Sequence, residues 1–96
     1  MVVIVSYDVN TTTKEGRRRL RRVARACEDF GQRVQFSVFE CNVGDKEWTQ
    51  LRFRLLDEYD GEEDSLRFYF LGEEGKRRTE HHGTKPSVDF EGPLLA

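Results

Sequence analysis

Ninety-six residues set the size of one domain, because a chain of this length buries only roughly two thirds of its unfolded surface. Apolar residues make up 36% and charged residues 35%, a balance that favours completing a small core by oligomerisation. No apolar run approaches the roughly 18 residues of a membrane span, and the net charge of −2 conceals a segregation of sign. Between Lys14 and Arg33 lie eight basic residues and three acidic ones, whereas Asp57 to Asp64 holds six acids and no base. Such asymmetry suggests a surface that faces a polyanion.

Val2, Val3, Ile4 and Val5 are β-branched and consecutive, the pattern of a strand covered on both faces. The strand turns polar at Ser6, Tyr7 and Asp8 and leaves the core in a loop containing Asn10 and Thr11 to Thr13. Lys14 to Phe30 has helical spacing, with Thr12 or Thr13 as N-cap, Glu15 in the first turn, and Leu20, Val23, Ala24 and Cys27 as the buried stripe. Arg18, Arg22 and Arg25 fall about 200° from that stripe, and Arg17 and Arg21 flank it. Gly31 is expected to end the helix, as a residue that accepts positive φ.

Arg33 to Val43 is strand material with a phase slip. Val34, Phe36 and Val38 alternate on one face, after which Phe39, Cys41 and Val43 take over, so a bulge or tight turn is expected near Ser37. Asp45 is expected to cap a second helix that buries Trp48, Leu51, Leu55 and either Phe53 or Leu56. The acidic run 57–64 reads as a solvated loop able to cover a basic groove or partner, and Ser65 to Gly72 as a strong strand. Residues 73–75 form a turn, Lys76 to His82 a polar edge strand, and Pro86 to Ala96 an apolar segment that must dock. Residues 1–72 are thus the core, and 73–96 an edge strand and docking segment of the same domain.

Strand, helix, split strand, helix, strand is the βαββαβ order of an α+β, ferredoxin-like fold: an antiparallel sheet with two helices on one face. Right-handed crossovers place the first and third main strands side by side in the centre. The uncovered sheet face needs another layer, most simply a second copy of the sheet. Cys27 and Cys41 lack metal-ligand spacing and fall on apolar faces. With no signal peptide ahead of the first strand, they are expected to stay reduced in the cytoplasm.

Val5 to Val9 (VSYDV), Gly31 to Cys41 (GQRVQFSVFEC) and Glu63 to Leu71 (EDSLRFYFL) together resemble the small CRISPR-associated adaptation protein family called Cas-two. The likeness covers roughly residues 1–72, with the motifs in the family's order and spacing. It implies a homodimer packed sheet to sheet and a divalent ion, usually magnesium, held by Asp8 at the dimer axis. It also implies metal-dependent nuclease activity on RNA or DNA, and a complex with the Cas-one integrase in spacer acquisition. Tyr7, Arg33 and Phe39 match positions in the family motifs, which makes Tyr7 and Phe39 candidates for flanking the site. The arginines of the first helix match only as a cluster.

Asp8 is the candidate catalytic and metal-binding residue, at the end of a strand rigid enough to hold it. No His, Lys or second carboxylate in that strand offers itself as general base, so hydrolysis would lean on a metal. Two copies of Asp8 about 4 Å apart would repel by roughly 4 kcal/mol at an effective dielectric of about 20 and so call for a cation or a shared proton. The competing account of Asp8 is an Asx-turn. Arg17, Arg18, Arg21, Arg22, Arg25 and Arg33 are the candidate nucleic-acid contacts, since a guanidinium matches two phosphate oxygens. Their competing account is a solvated face with ion pairs, although only Glu15, Glu28 and Asp29 are near in sequence. Nothing offers a base-reading code, so binding should have little sequence preference. A non-catalytic scaffold that holds DNA for an integrase uses the same arginines without Asp8. A small-molecule regulatory domain lacks any glycine-rich signal. His81 and His82 are adjacent and point to opposite strand faces, which disfavours joint chelation.

Overall fold

The computed structural model describes residues 1–72 and 77–84. The elements are β1 (Val2–Asp8), α1 (Lys14–Phe30), β2 (Gln32–Gln35), β3 (Val38–Asn42), α2 (Asp45–Glu58), β4 (Ser65–Leu71) and β5 (Arg77–Gly83). All strand pairs are antiparallel, in the order β2-β3-β1-β4-β5. The first four strands and two helices give the ferredoxin-like α+β arrangement, with β5 added beside β4. The turn expected at 73–75 and the docking segment expected over 86–96 lie outside the described residues.

β1 occupies the centre because both its neighbours need it: β3 pairs Val2 to Ser6, and β4 pairs Val2 to Asp8. Its burial alternates. Val3, Val5 and Tyr7 are buried, whereas Val2, Ile4 and Ser6 are half-buried and Asp8 is exposed. One buried cluster joins Val3, Val5, Phe39 and Phe68 to Val23 and Cys27 of α1 and to Trp48, Leu51 and Leu55 of α2. Both helices therefore cover one face, and among the described residues no element covers the other. Trp48 meets Phe68 and Phe70 edge-on at centroid distances of 4.9 and 5.3 Å.

The phase slip near Ser37 is a hairpin: Phe36 and Ser37 form the turn between β2 and β3, with a register shift between Arg33 and Gln35. Val34 and Phe36, which alternate with Val38 in the sequence, are 53% and 92% exposed: Val34 lies on the short edge strand β2, and Phe36 in the turn that follows it. Thr13 caps α1, its Oγ1 accepting the Gly16 N–H at 3.0 Å. Gly31 is extended at φ −157°, not left-handed. Glycine suits it because a Cβ would strike Cys41 Sγ and the Glu40 carbonyl. The cap of α2 is Gly44 rather than Asp45. Glu47 reaches back to accept the Gly44 N–H at 3.0 Å, which moves Asp45 into the first turn where its charge suits the helix dipole. Leu56, not Phe53, completes the inner stripe; Phe53 is 71% exposed.

Candidate active site at the end of the first strand

Asp8 is the last residue of β1, opposite Ser65 in register, and alternation puts it on the open sheet face with Val2, Ile4 and Ser6. The residue before it is a fastener. The Tyr7 N–H donates to the Ser37 carbonyl at 3.1 Å, and the Tyr7 hydroxyl donates to the Phe36 carbonyl at 3.5 Å. Its ring stacks on Phe39 at 6.2 Å. Burial pushes the Tyr7 phenol up, so it remains a neutral donor. The hairpin tip is thus tied to the strand that ends in Asp8.

The loop after Asp8 is held from the opposite side. Asp64 Oδ1 accepts the Asn10 N–H at 3.0 Å, and Asn10 Oδ1 accepts from the Thr12 backbone at 3.0 Å and the Thr12 hydroxyl at 2.7 Å. Gly16 lets the first turn of α1 lie against this loop, since a Cβ there would collide with the Asn10 carbonyl. Asp64 is fully buried and also accepts from Arg19 Nε at 2.8 Å and the Asp60 N–H at 2.9 Å. Burial pushes its carboxyl up, but the hydrogen bonds from Arg19, Asp60 and Asn10 outweigh this and hold it below the usual carboxylate range. The acidic run therefore does not stay wholly in solvent, as composition suggested. Its last residue is a core anchor that the hydrophilic sequence context hid.

A groove of about 650 Å³ opens beside Asp8. Tyr7, Val9, Leu20, Ala24, Arg21, Arg25, Glu28, Arg33, Phe36 and Ser37 line it together with Asp8. It gathers three of the six expected arginines. Arg21 and Arg25 come from adjacent turns of α1, and Arg33 comes from β2, where its guanidinium rests 5.1 Å over the Phe39 ring. Arg17, Arg18 and Arg22 lie outside this lining and are exposed. Arg17 donates to the Thr11 carbonyl at 3.3 Å, and Arg22 reaches Glu58 at 3.7 Å. Phe39 is fully buried, so it supports the site from beneath. Glu28 is a lining residue that sequence reasoning passed over. Its spacing of four from Ala24 and seven from Arg21 was the available signal.

Elsewhere, Cys27 and Cys41 are buried thiols. Burial pushes both up, Cys41 to about 11, which makes them poor nucleophiles. His82 lies 2.5 Å from Glu80, which also accepts from Arg52 Nε at 2.9 Å and so ties β5 to α2. Burial raises Glu80 less than the hydrogen bonds from Arg52 and His82 lower it, and its carboxyl sits below the usual range.

Among the described residues no three His, Cys, Asp or Glu side chains gather as a metal cage. Magnesium needs less than that: it keeps several waters and binds through one or two carboxylates plus phosphate oxygens. The Asp8 carboxylate beside an arginine-lined groove fits an ion shared with a phosphate, not a dedicated closed site. No helix among the described residues is long and apolar enough to cross a membrane.

Known proteins resemble this chain in sequence and fold. The family model described as CRISPR associated protein Cas2 matches residues 1–79. The CRISPR-associated endoribonuclease Cas2 of Chlorobaculum tepidum is 59% identical over 95 residues, covering 99% of each chain. The CRISPR-associated endonuclease Cas2 of Halalkalibacterium halodurans is 50% identical over 95 residues, again covering 99% of each. The crystal structure of Streptococcus pyogenes Cas2 at pH 6.5 superposes with a TM-score of 0.70 at 54% identity, covering 77% of this chain and 89% of that one. On these grounds the chain belongs to the Cas2 family of CRISPR-associated proteins.

Proposed function

We propose that the protein is a nuclease of CRISPR adaptation that hydrolyses phosphodiesters in the groove beside Asp8. The observation that carries this reading is that Asp8, at the end of β1, lines one groove with Arg21, Arg25 and Arg33. The printed names of the relatives, an endoribonuclease and an endonuclease, support it. The arginines hold the phosphate, each fork matching two oxygens. Asp8 would hold a magnesium ion and, by accepting a hydrogen bond, orients water toward phosphorus. Magnesium, when bound, would lower the pKa of that water and offset charge on the phosphate. Glu28 supplies a second carboxylate able to take up a proton. A bond forms from the water oxygen to phosphorus and the bond to the leaving sugar oxygen breaks.

The open face of the sheet, carrying Val2, Ile4 and Asp8, fits a second copy packed sheet to sheet, so the working form is a homodimer with Asp8 near its axis. The cell compartment is the cytoplasm, and the Cas-one integrase is the partner. A second reading, a DNA-binding scaffold for that integrase, is favoured by Arg17, Arg18 and Arg22, which extend the basic surface of α1 beyond the groove. Cleavage of RNA and DNA substrates by wild type and Asp8→Asn, with and without magnesium, separates the two. Loss of magnesium-dependent cleavage supports the nuclease. Equal cleavage by both proteins removes Asp8 from the chemistry.

A further inference from the structure

A second groove, of about 430 Å³, runs along α2 and shares no lining residue with the one beside Asp8. Trp48, Thr49, Arg52, Phe53, Leu56 and Asp57 line it, so every described residue of its wall comes from one flank of one helix. A helix is convex, and a groove needs a second wall. A lone exposed aromatic residue is ordinary on a protein surface, so the 71% exposure of Phe53 carries nothing by itself. The position of β5 does. Arg52 Nε donates to Glu80 at 2.9 Å, and the Tyr59 ring at the end of α2 lies 6.5 Å from that of His82. The Thr84 N–H then donates to the Asp64 carbonyl at 3.1 Å. The chain therefore leaves β5 near the Asp57 end of the groove.

We infer that residues 86–96 of the same chain dock along this flank of α2 and supply the groove's second wall. The segment holds Val88, Phe90, Leu94 and Leu95. Only Asp89 separates Val88 from Phe90, so an extended backbone turns both to one side, toward Phe53 and Leu56. Its length suffices. Trp48 to Asp57 spans about 14 Å at about 1.5 Å per helical residue, whereas residues 85–96 reach up to about 40 Å when extended. A segment tethered at the end of the groove has an effective concentration there of millimolar order, which sets it ahead of a free peptide or a second copy. The inference is independent of the groove beside Asp8.

The test uses the chain's single tryptophan, Trp48, which lines the groove. A nitroxide is attached at Asp89→Cys in the full chain, where Cys27 and Cys41 are buried and stay unlabelled. Docking should bring the label to Trp48 and quench its emission relative to a diamagnetic label at the same position. Phe53→Ser on the groove and Phe90→Ser on the segment should each shift the docking equilibrium by roughly 10- to 100-fold toward release and restore the emission. Phe53 is exposed and Phe90 lies outside the described residues, so both variants should keep the wild-type circular dichroism. Absence of quenching, or quenching that either variant leaves in place, would overturn the docking. Labelled Phe53→Ser mixed at micromolar concentration with unlabelled wild type shows whose segment fills the groove. Unchanged wild-type emission is expected. Quenching of the wild-type Trp48 would give the groove to a second copy and overturn the assignment to the same chain.

Discussion

Asp8 and Asp64 lie at the same end of neighbouring strands, since Asp8 pairs in register with Ser65, the residue after Asp64. Asp64 is fully buried, with each carboxylate oxygen accepting two hydrogen bonds from Arg19, Asn10 and Asp60. Asp8 is exposed, on the open face of the sheet and at the mouth of an arginine-lined groove. Its hydrogen bonds hold the Asp64 carboxyl below the usual carboxylate range. A perturbed carboxylate is often taken as the mark of a functional site, and here it marks the joint that holds the site's loop. The proposed function assigns the chemistry to the exposed carboxylate, Asp8, and not to this one.

The comparison breaks most visibly at Asp64. Asp64→Ala would leave the Arg19 guanidinium, whose side chain is only 18% exposed, without its counter-ion, and the Asn10 and Asp60 N–H groups without acceptors. Loss of one partner from a buried pair costs about 3–5 kcal/mol, so the urea midpoint should fall accordingly. A cost under about 1 kcal/mol would mean that Asp64 is not an anchor.

Next in size is the groove itself. Arg33→Ala should weaken binding of a single-stranded oligonucleotide by about 1.5–3 kcal/mol, the range for a charge-assisted hydrogen bond. It should also lower the slope of log affinity against log salt by about 1. Its effect on stability should stay near the 0.5–1 kcal/mol of an exposed cation–π contact. A large fall in the unfolding midpoint with binding intact would move Arg33 to the structural side of the comparison.

Acid should act on the anchors. Asp64 and Glu80 have lowered carboxyl pKa values in the folded protein. The unfolded chain therefore binds more protons through the acid range, and stability rises with pH there. The contribution of both residues is fully present above the ordinary carboxylate values of about 4, and is lost as pH falls through their folded values. Chemical denaturation at a series of pH values should show the midpoint falling below about pH 4, and Glu80→Gln should flatten part of that fall. The smallest effect belongs to Arg22, whose 3.7 Å contact with Glu58 joins two solvent-accessible side chains. Arg22→Ala should change stability by no more than about 1 kcal/mol.

Much of this arrangement was legible in the residues. The bounds of α1 follow from its stripe and its threonine cap, and the split at Ser37 follows from the slip between Phe36 and Phe39. Asp8 was visible as the polar end of a β-branched run. The burial of Asp64 was hidden, because six acids in eight residues look solvated whichever of them finds a cation. Arg19 looked like its exposed neighbours for the same reason: its partner lies 45 residues away. Gly31 ends α1 as expected, but its freedom at positive φ is not used; the constraint that calls for glycine is the close approach of Cys41. Phe36 alternates with Val34 and Val38 in the sequence as a buried residue would, and the hairpin turns it out to solvent.

The central claim is that Asp8 serves chemistry where Asp64 serves folding. It is tested most directly by measuring magnesium-dependent cleavage and urea unfolding on the same preparations of wild type and Asp8→Asn. Cleavage should fall by at least about 100-fold, with the unfolding midpoint shifted by less than the equivalent of about 1 kcal/mol. Undiminished cleavage, or a loss of cleavage matched by a loss of folding, would contradict it.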